Sequence, residues 1–92
     1  MPVRRDFAFV VAEATDARAI TRAALGARKE MVTDVAVFDV YRGPGVPDGQ
    51  KSVALEVTLQ PRDKTLTDKE IEAISDAIVA AVTKATGASL RG

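Results

Sequence analysis

The chain has 92 residues, with 13 Lys and Arg against 13 Asp and Glu, no His and no Cys. A chain of this length folds as one domain with a single core, and the lack of Cys excludes a disulfide framework and thiolate metal ligands. A net charge of zero excludes a nucleic-acid binder that depends on phosphate attraction alone. We therefore expect a single domain over residues 1–92 that recognises a partner through local contacts.

A strand and a helix are predicted at the start of the chain. Residues alternate from Asp6 to Val11 in the pattern of a strand with one buried face. The buried face of this strand carries Phe7, Phe9 and Val11. Thr15 or Asp16 is placed to cap the helix that follows, and Gly26 is placed to end it. The apolar positions of the helix are Ile20, Ala23, Ala24 and Leu25.

The next two strands form a predicted hairpin. Alternation from Val35 to Tyr41 indicates a strand that turns Ala36, Phe38 and Val40 toward the core. Segment 43–50 is too rich in Gly and Pro to continue a strand, so the chain must reverse there. Residues 51–60 alternate again without a break. Their buried side carries Val53, Leu55, Val57 and Leu59.

A long helix and a short strand complete the chain. Thr67 and Glu70 have the spacing of a capping box, and Gly87 is placed to end the helix. An apolar stripe along it favours packing against a sheet. The large members of the stripe are Ile71, Ile74, Ile78 and Val82. Residues 89–91 can add a last strand.

The predicted order is therefore βαββαβ, the ferredoxin-like α+β plan. In this plan a four-stranded antiparallel sheet has strands one and three in the centre and both helices on one face, which leaves the other face open. Alternation predicts the residues of the open face as Asp6, Ala8, Val10, Val35, Val37, Asp39, Tyr41, Ser52, Ala54, Glu56 and Thr58.

The hairpin predicts a binding surface on that open face. The simplest register puts Tyr41 opposite Ser52 and Asp39 opposite Ala54, with Ala8 on the neighbouring strand. A phenol then stands beside a floor of small residues, where a flat ring can stack while polar groups reach its edge. A nucleobase suits such a site. The alternative is that Tyr41 and Asp39 only decorate a solvated sheet.

Five segments of the chain, in order and with similar spacing, carry a resemblance to a known family. They are Arg5–Val11, Phe38–Gly43, Gly49–Ala54, Lys64–Ile71 and Gly87–Arg91. The chain resembles the ferredoxin-fold anticodon-binding domain at the C-terminal end of the β subunit of bacterial phenylalanyl-tRNA synthetases. Departures are Gln50, where a basic residue is common, and a longer loop that contains Pro.

The resemblance implies binding of the anticodon of phenylalanine tRNA by Ala8, Asp39, Tyr41 and Ser52. We assign Tyr41 to stacking on a base, Ser52 to a hydrogen bond with a base edge, and Asp39 to accepting an N–H. Ala8 allows close approach of the sheet. The resemblance also implies an excised C-terminal domain, the rest of the β subunit and a catalytic α subunit as partners, and ATP and Mg²⁺ as cofactors of that larger enzyme, with no cofactor in this domain.

Six basic residues lie at strand ends and in loops, and a solvated surface is the simplest interpretation of them. They are Arg4, Arg5, Arg42, Lys51, Arg62 and Lys64. We expect Arg5, Arg42 and Lys51 to face RNA phosphates. Two or three contacts of about 1–3 kcal/mol each predict only millimolar to micromolar affinity for the isolated domain, so useful discrimination requires tethering to a larger protein.

Two other functions of ferredoxin-like domains make different demands on the sequence. An acylphosphatase-type hydrolase needs an anion cradle after the first strand, where residues 13–16 are acidic and contain no Gly. A regulatory or dimerisation module is the stronger alternative, because open antiparallel sheets also pair with one another.

No apolar run has the length of a membrane span and no signal peptide precedes the first strand, so we expect a cytoplasmic protein without a membrane or DNA partner.

Overall fold

The structure is a computed structural model that describes residues 2–61 and 65–91. Arg62 and Lys64 lie outside the described residues. The elements in chain order are β1 (Val3–Ala12), α1 (Ala17–Ala27), β2 (Val32–Tyr41), β3 (Gln50–Leu59), α2 (Asp68–Thr86) and β4 (Ser89–Leu90). The predicted βαββαβ order is confirmed. None of the helices in these two ranges combines the length and apolar character required to cross a bilayer.

The four strands form one antiparallel sheet in the order β2-β3-β1-β4, so the first and third strands are central as predicted. One hydrophobic core joins the sheet to both helices. From the sheet it takes Phe9, Val11, Val53, Leu55, Val57 and Leu59, and from the helices Ile20, Ala24, Ile71, Ile74, Ile78 and Val82. Both helices therefore cover the same face of the sheet.

Local signals in the sequence set the helix ends. Asp16 caps α1, since its carboxylate accepts a hydrogen bond from the Arg18 amide at 2.9 Å. The capping box of α2 is present, with the Glu70 amide donating to the Thr67 hydroxyl at 3.1 Å and the Thr67 amide donating to the Glu70 carboxylate at 3.0 Å. Gly87 ends α2 in the left-handed conformation, at φ +75°.

Two register shifts in β2 correct the predicted open face. The pairing of β2 with β3 skips one residue between Val32 and Asp34 and another between Val37 and Asp39. Each extra residue reverses the alternation. Val35 and Val37 consequently pair with Val57 and Leu55, whose side chains are fully buried on the helix side. The prediction that Val35 and Val37 lie on the open face is therefore wrong, and Asp34 and Ala36 take their place.

Several apolar residues of α1 and β2 are less buried than predicted. Helix α1 continues through Gly26 to Ala27, so the stop predicted at Gly26 is wrong by one residue. Leu25 is exposed, and so are Phe38 and Val40, which alternation placed in the core. Strand β2 is an edge strand, so its helix-facing side is only partly covered by α1.

Candidate nucleic-acid interface

Two rows of facing residues cross the open side of the sheet. The first row is Tyr41, Ser52 and Val10 on β2, β3 and β1, and the second row is Asp39, Ala54 and Ala8 on the same strands. The predicted register of Tyr41 with Ser52 and of Asp39 with Ala54 is confirmed. We call these six residues the platform. Because four of the six side chains are small or short, Tyr41 stands beside a low floor.

Ser52 lies at the centre of the first row and is 3% exposed. Its hydroxyl has no hydrogen-bond partner among residues 2–61 and 65–91. The oxygen is still reached by solvent, because no described side-chain N or O atom is both buried and unpartnered. The bottom of the depression thus offers a hydrogen-bonding group that the described part of the fold does not use.

The ring of Tyr41 is held in position by the hairpin loop. Its hydroxyl donates to the carbonyl oxygen of Pro44 at 2.9 Å. Gly43, at φ +139°, lies so close that a Cβ there would be 3.1 Å from the Tyr41 hydroxyl oxygen. A side chain at position 43 would be strained and would press on the ring. The loop therefore fixes the orientation of the aromatic ring above the floor, which favours stacking over a freely rotating side chain.

Asp39 adds a negative group to the second row. It is exposed, and within the described residues its carboxylate makes neither an ion pair nor a hydrogen bond. Its partner across the strand pair is Ala54, and Ala8 follows on β1. Both alanines are half-buried. An N–H on the edge of a flat ligand could therefore reach Asp39 over a floor with no side chain beyond Cβ.

The predicted phosphate contacts separate into two places. Arg42 donates to Glu13 from two nitrogens, Nε and Nη2, the second at 2.6 Å, and the Lys51 ammonium lies 3.8 Å from the same carboxylate. This cluster joins the end of β1 to both strands of the hairpin. Arg5 pairs with Val57 and Lys51 pairs with Val11, both on the helix-facing side, so Arg5 and Lys51 lie on the opposite side of the sheet from Ala8.

Electrostatics at the cluster come from the Arg42 pair. The hydrogen bond from Arg42 lowers the pKa of Glu13 below its ordinary value, and the charges of Arg42 and Lys51 add to this effect. The same hydrogen bond raises the pKa of Arg42. Sequence reasoning noted Glu13 only as an acidic residue after the first strand. Its pairing with Arg42 spans 29 positions, a separation at which no local pattern gives a signal.

Arg91 is a second residue near the platform that sequence reasoning left without a role. Its amide donates to the Ala8 carbonyl at 2.7 Å, which extends the pairing of β4 with β1. Its guanidinium carbon lies 5.0 Å from the centre of the Tyr41 ring. The only signal in the sequence was that Gly87–Arg91 resembles the corresponding segment of the anticodon-binding family. That resemblance does not indicate a contact between Arg91 and Tyr41.

The platform supplies groups for stacking and for hydrogen bonding. Among the described residues, no three of the His, Cys, Asp and Glu side chains are grouped closely enough to hold a metal ion. An aromatic ring, an unpaired hydroxyl and a carboxylate around a flat floor are an arrangement that suits a planar ligand with polar edges.

Comparison with known proteins identifies the family. The sequence profile described as "Ferredoxin-fold anticodon binding domain" matches residues 2–91. The chain belongs to this family.

Relatives of this anticodon-binding domain are phenylalanine–tRNA ligase beta subunits. The chain is 58% identical over 90 residues to that of Bradyrhizobium diazoefficiens. It is 59% identical over 91 residues to that of Rhodopseudomonas palustris, and 59% identical over 90 residues to that of Rhodospirillum rubrum. These matches cover 98–99% of the chain and 11% of each relative. The chain thus spans about a ninth of the length of the proteins it resembles.

Proposed function

We propose that this domain reads the anticodon of phenylalanine tRNA through the platform, as part of a phenylalanine–tRNA ligase β subunit. Membership of the anticodon-binding family and the names of the relatives support the ligand and the parent enzyme. The observation that carries the choice of surface is the Tyr41–Ser52 pair, where a ring fixed by the hairpin loop stands beside a hydroxyl with no described partner.

The proposed contacts follow from the positions of the platform side chains. A base stacks on the Tyr41 ring, its polar edge meets the Ser52 hydroxyl and the Asp39 carboxylate, and Ala8 keeps the floor low. Among the predicted phosphate partners we propose Arg42, which follows Tyr41 directly in the chain. Glu13 competes with phosphate for Arg42. Arg5 and Lys51 lie on the other face, so we propose no base-proximal phosphate contact for either of them.

Weak binding by the isolated domain is part of the proposal. One stacked base contributes about 1–3 kcal/mol, and a neutral hydrogen bond adds a net 0.5–1.5 kcal/mol or so. After the cost of association these contacts leave affinities in the millimolar to micromolar range. The remainder of the β subunit and a catalytic α subunit would then hold the tRNA and raise the effective concentration of the anticodon, with ATP and Mg²⁺ acting there.

The test is a titration of the phenylalanine anticodon stem-loop against wild type, Tyr41→Ala and Tyr41→Phe. NMR titration measures the affinity of all three proteins; intrinsic fluorescence cannot, because both variants lack Tyr41, the only tyrosine of a chain without tryptophan. We expect Tyr41→Ala to weaken binding by about 5- to 150-fold, the equivalent of one stacked base. Tyr41→Phe keeps the ring and should retain most of the affinity.

Phe38→Ala is the matched control for this titration. Phe38 is an aromatic residue of the same strand, is 59% exposed, and lies at a register shift outside the platform. Its removal should leave RNA binding unchanged. Equal affinity of wild type and Tyr41→Ala, or no preference for the phenylalanine anticodon over a scrambled loop, would overturn the proposal.

A dimerisation module is the second candidate, and one observation favours it. Edge strand β2 exposes Val37, Phe38 and Val40, the kind of strand through which sheets associate. Sedimentation of the isolated chain over a wide concentration range separates the two functions. A dimer that Phe38→Ala dissociates, combined with no RNA binding, would favour this second candidate.

A further inference from the structure

Arg91 places a guanidinium over the ring on which the proposed function stacks a base. The backbone of Arg91 lies beside Ala8 at the edge of the sheet where β4 runs, and Tyr41 lies on β2 at the opposite edge. Strands β3 and β1 separate them, a distance of about 14 Å between backbones. The two side chains therefore reach toward each other over the floor of the platform, and the guanidinium carbon lies 5.0 Å from the ring centre.

The charge of Arg91 has no carboxylate partner within residues 2–61 and 65–91. Four other arginines there form ion pairs, namely Arg4, Arg18, Arg28 and Arg42. Arg91 instead lies against the Tyr41 ring and near Gly45 of the hairpin loop, where a Cβ would be 3.3 Å from its Nη2 atom. Its planar cation is thus held by an aromatic face and by the loop, without an anion to retain it.

The spacing between the two groups leaves no room for a base as they stand. A base needs about 3.5 Å to each neighbour, or about 7 Å in total, whereas the guanidinium and the ring are at most 5.0 Å apart. An outward movement of the guanidinium by about 2 Å opens that gap. An exposed cation–π contact is weaker than the stacking of a base on an aromatic ring, so a base can displace Arg91 from the ring.

We propose that Arg91 is a further RNA-binding residue, which covers the Tyr41 ring in the free domain and stacks on the outer face of the base that enters between them. This inference rests on the proposed function. In the bound arrangement the base lies between an aromatic ring and a guanidinium plane, both of which stack on nucleobases. The small side chains of Ala8 and Ala54 keep the floor low for the base. They also leave space for the Arg91 side chain, which must cross above them.

The test compares Arg91→Ala and Arg91→Lys for binding of the phenylalanine anticodon stem-loop. Lys keeps the positive charge but lacks the planar guanidinium group. If Arg91 acts by stacking, both variants should therefore weaken binding to a similar extent, by about three- to tenfold. In the Tyr41→Ala background the effect of Arg91→Lys should largely disappear, because the sandwich has already lost one side. The backbone amide that pairs with Ala8 remains in every variant, and circular dichroism checks that the fold is retained.

Two outcomes would overturn the inference. Unchanged or tighter binding by Arg91→Ala would mean that Arg91 only covers the ring. The second outcome has two parts. Arg91→Lys binds with wild-type affinity, and Arg91→Ala releases about one ion fewer on binding, as measured by the salt dependence of its affinity. Together they would mean that Arg91 contacts a phosphate through its charge alone. In either case the proposed function stands if Tyr41→Ala still loses binding. If wild type shows no anticodon preference, it is the proposed function that fails.

Discussion

Replacing Ser52 by Ala should separate RNA binding from folding. The Ser52 side chain is 3% exposed, and its hydroxyl has no hydrogen-bond partner in residues 2–61 and 65–91. Removing a hydroxyl that bonds to no protein group removes no intramolecular hydrogen bond, and an oxygen that solvent still reaches contributes little packing. We expect the free energy of unfolding to change by less than about 0.5 kcal/mol.

The same substitution should have a larger effect on RNA affinity than on stability. A neutral hydrogen bond to a base edge contributes about 0.5–1.5 kcal/mol net, so Ser52→Ala should weaken binding of the anticodon stem-loop by about 2- to 13-fold. Urea denaturation gives the first quantity, and NMR titration, which suits weak complexes, gives the second. Most of the loss should vanish when the base that meets Ser52 is replaced by an abasic site.

Ser75→Ala provides the matched control for Ser52→Ala. Ser75 is a half-buried serine of α2, on the layer that covers the other face of the sheet. Its replacement should leave RNA binding unaltered. The reasoning about Ser52 is refuted if Ser52→Ala lowers the free energy of unfolding by more than about 1 kcal/mol while RNA affinity stays at the wild-type value, since the hydroxyl would then serve the fold and not the ligand.

Two further predictions concern stability. Glu13→Gln removes a carboxylate whose pKa is lowered by its hydrogen bond with Arg42. Because the folded pKa is the lower one, the wild-type advantage exists above about pH 4.5 and disappears as pH falls through the folded value. Urea denaturation at pH 7 and pH 3 should show the gap between wild type and variant closing, and a gap that stays constant contradicts this. Thr67→Ala removes the capping box of α2 and should cost about 1 kcal/mol, or roughly 4–8 °C in Tm, whereas an unchanged Tm would show that the cap contributes nothing.

Much of the fold was predictable because its signals are local. The cap at Thr67 and the stop at Gly87 depend on residues within a few positions of the helix ends, and both are confirmed. The hairpin register was predictable for a related reason. Once the chain reverses between Tyr41 and Gln50, the pairing nearest the loop follows from counting, so Tyr41 faces Ser52.

The errors concern the residues of β2, whose side of the sheet cannot be found by alternation along that strand alone. Alternation assigned Val35 and Val37 to the open face because it assumes one partner for each residue, and the register shifts in β2 break that assumption. Phe38 is exposed for the same reason and because β2 is an edge strand. An inserted residue is recognisable only when the partner strand is known, and burial at an edge depends on what the helices cover.

The sequence alone determined the architecture and the hairpin half of the platform, because capping, turn chemistry and period-two alternation act over a few residues. Only the tertiary structure decided the surroundings of that platform. It brought Arg91 over Tyr41 and Glu13 to Arg42, contacts between parts of the chain separated by 50 and 29 positions. Such contacts depend on strand order and on the reach of long side chains, which pack in three dimensions and leave no periodic trace in the sequence.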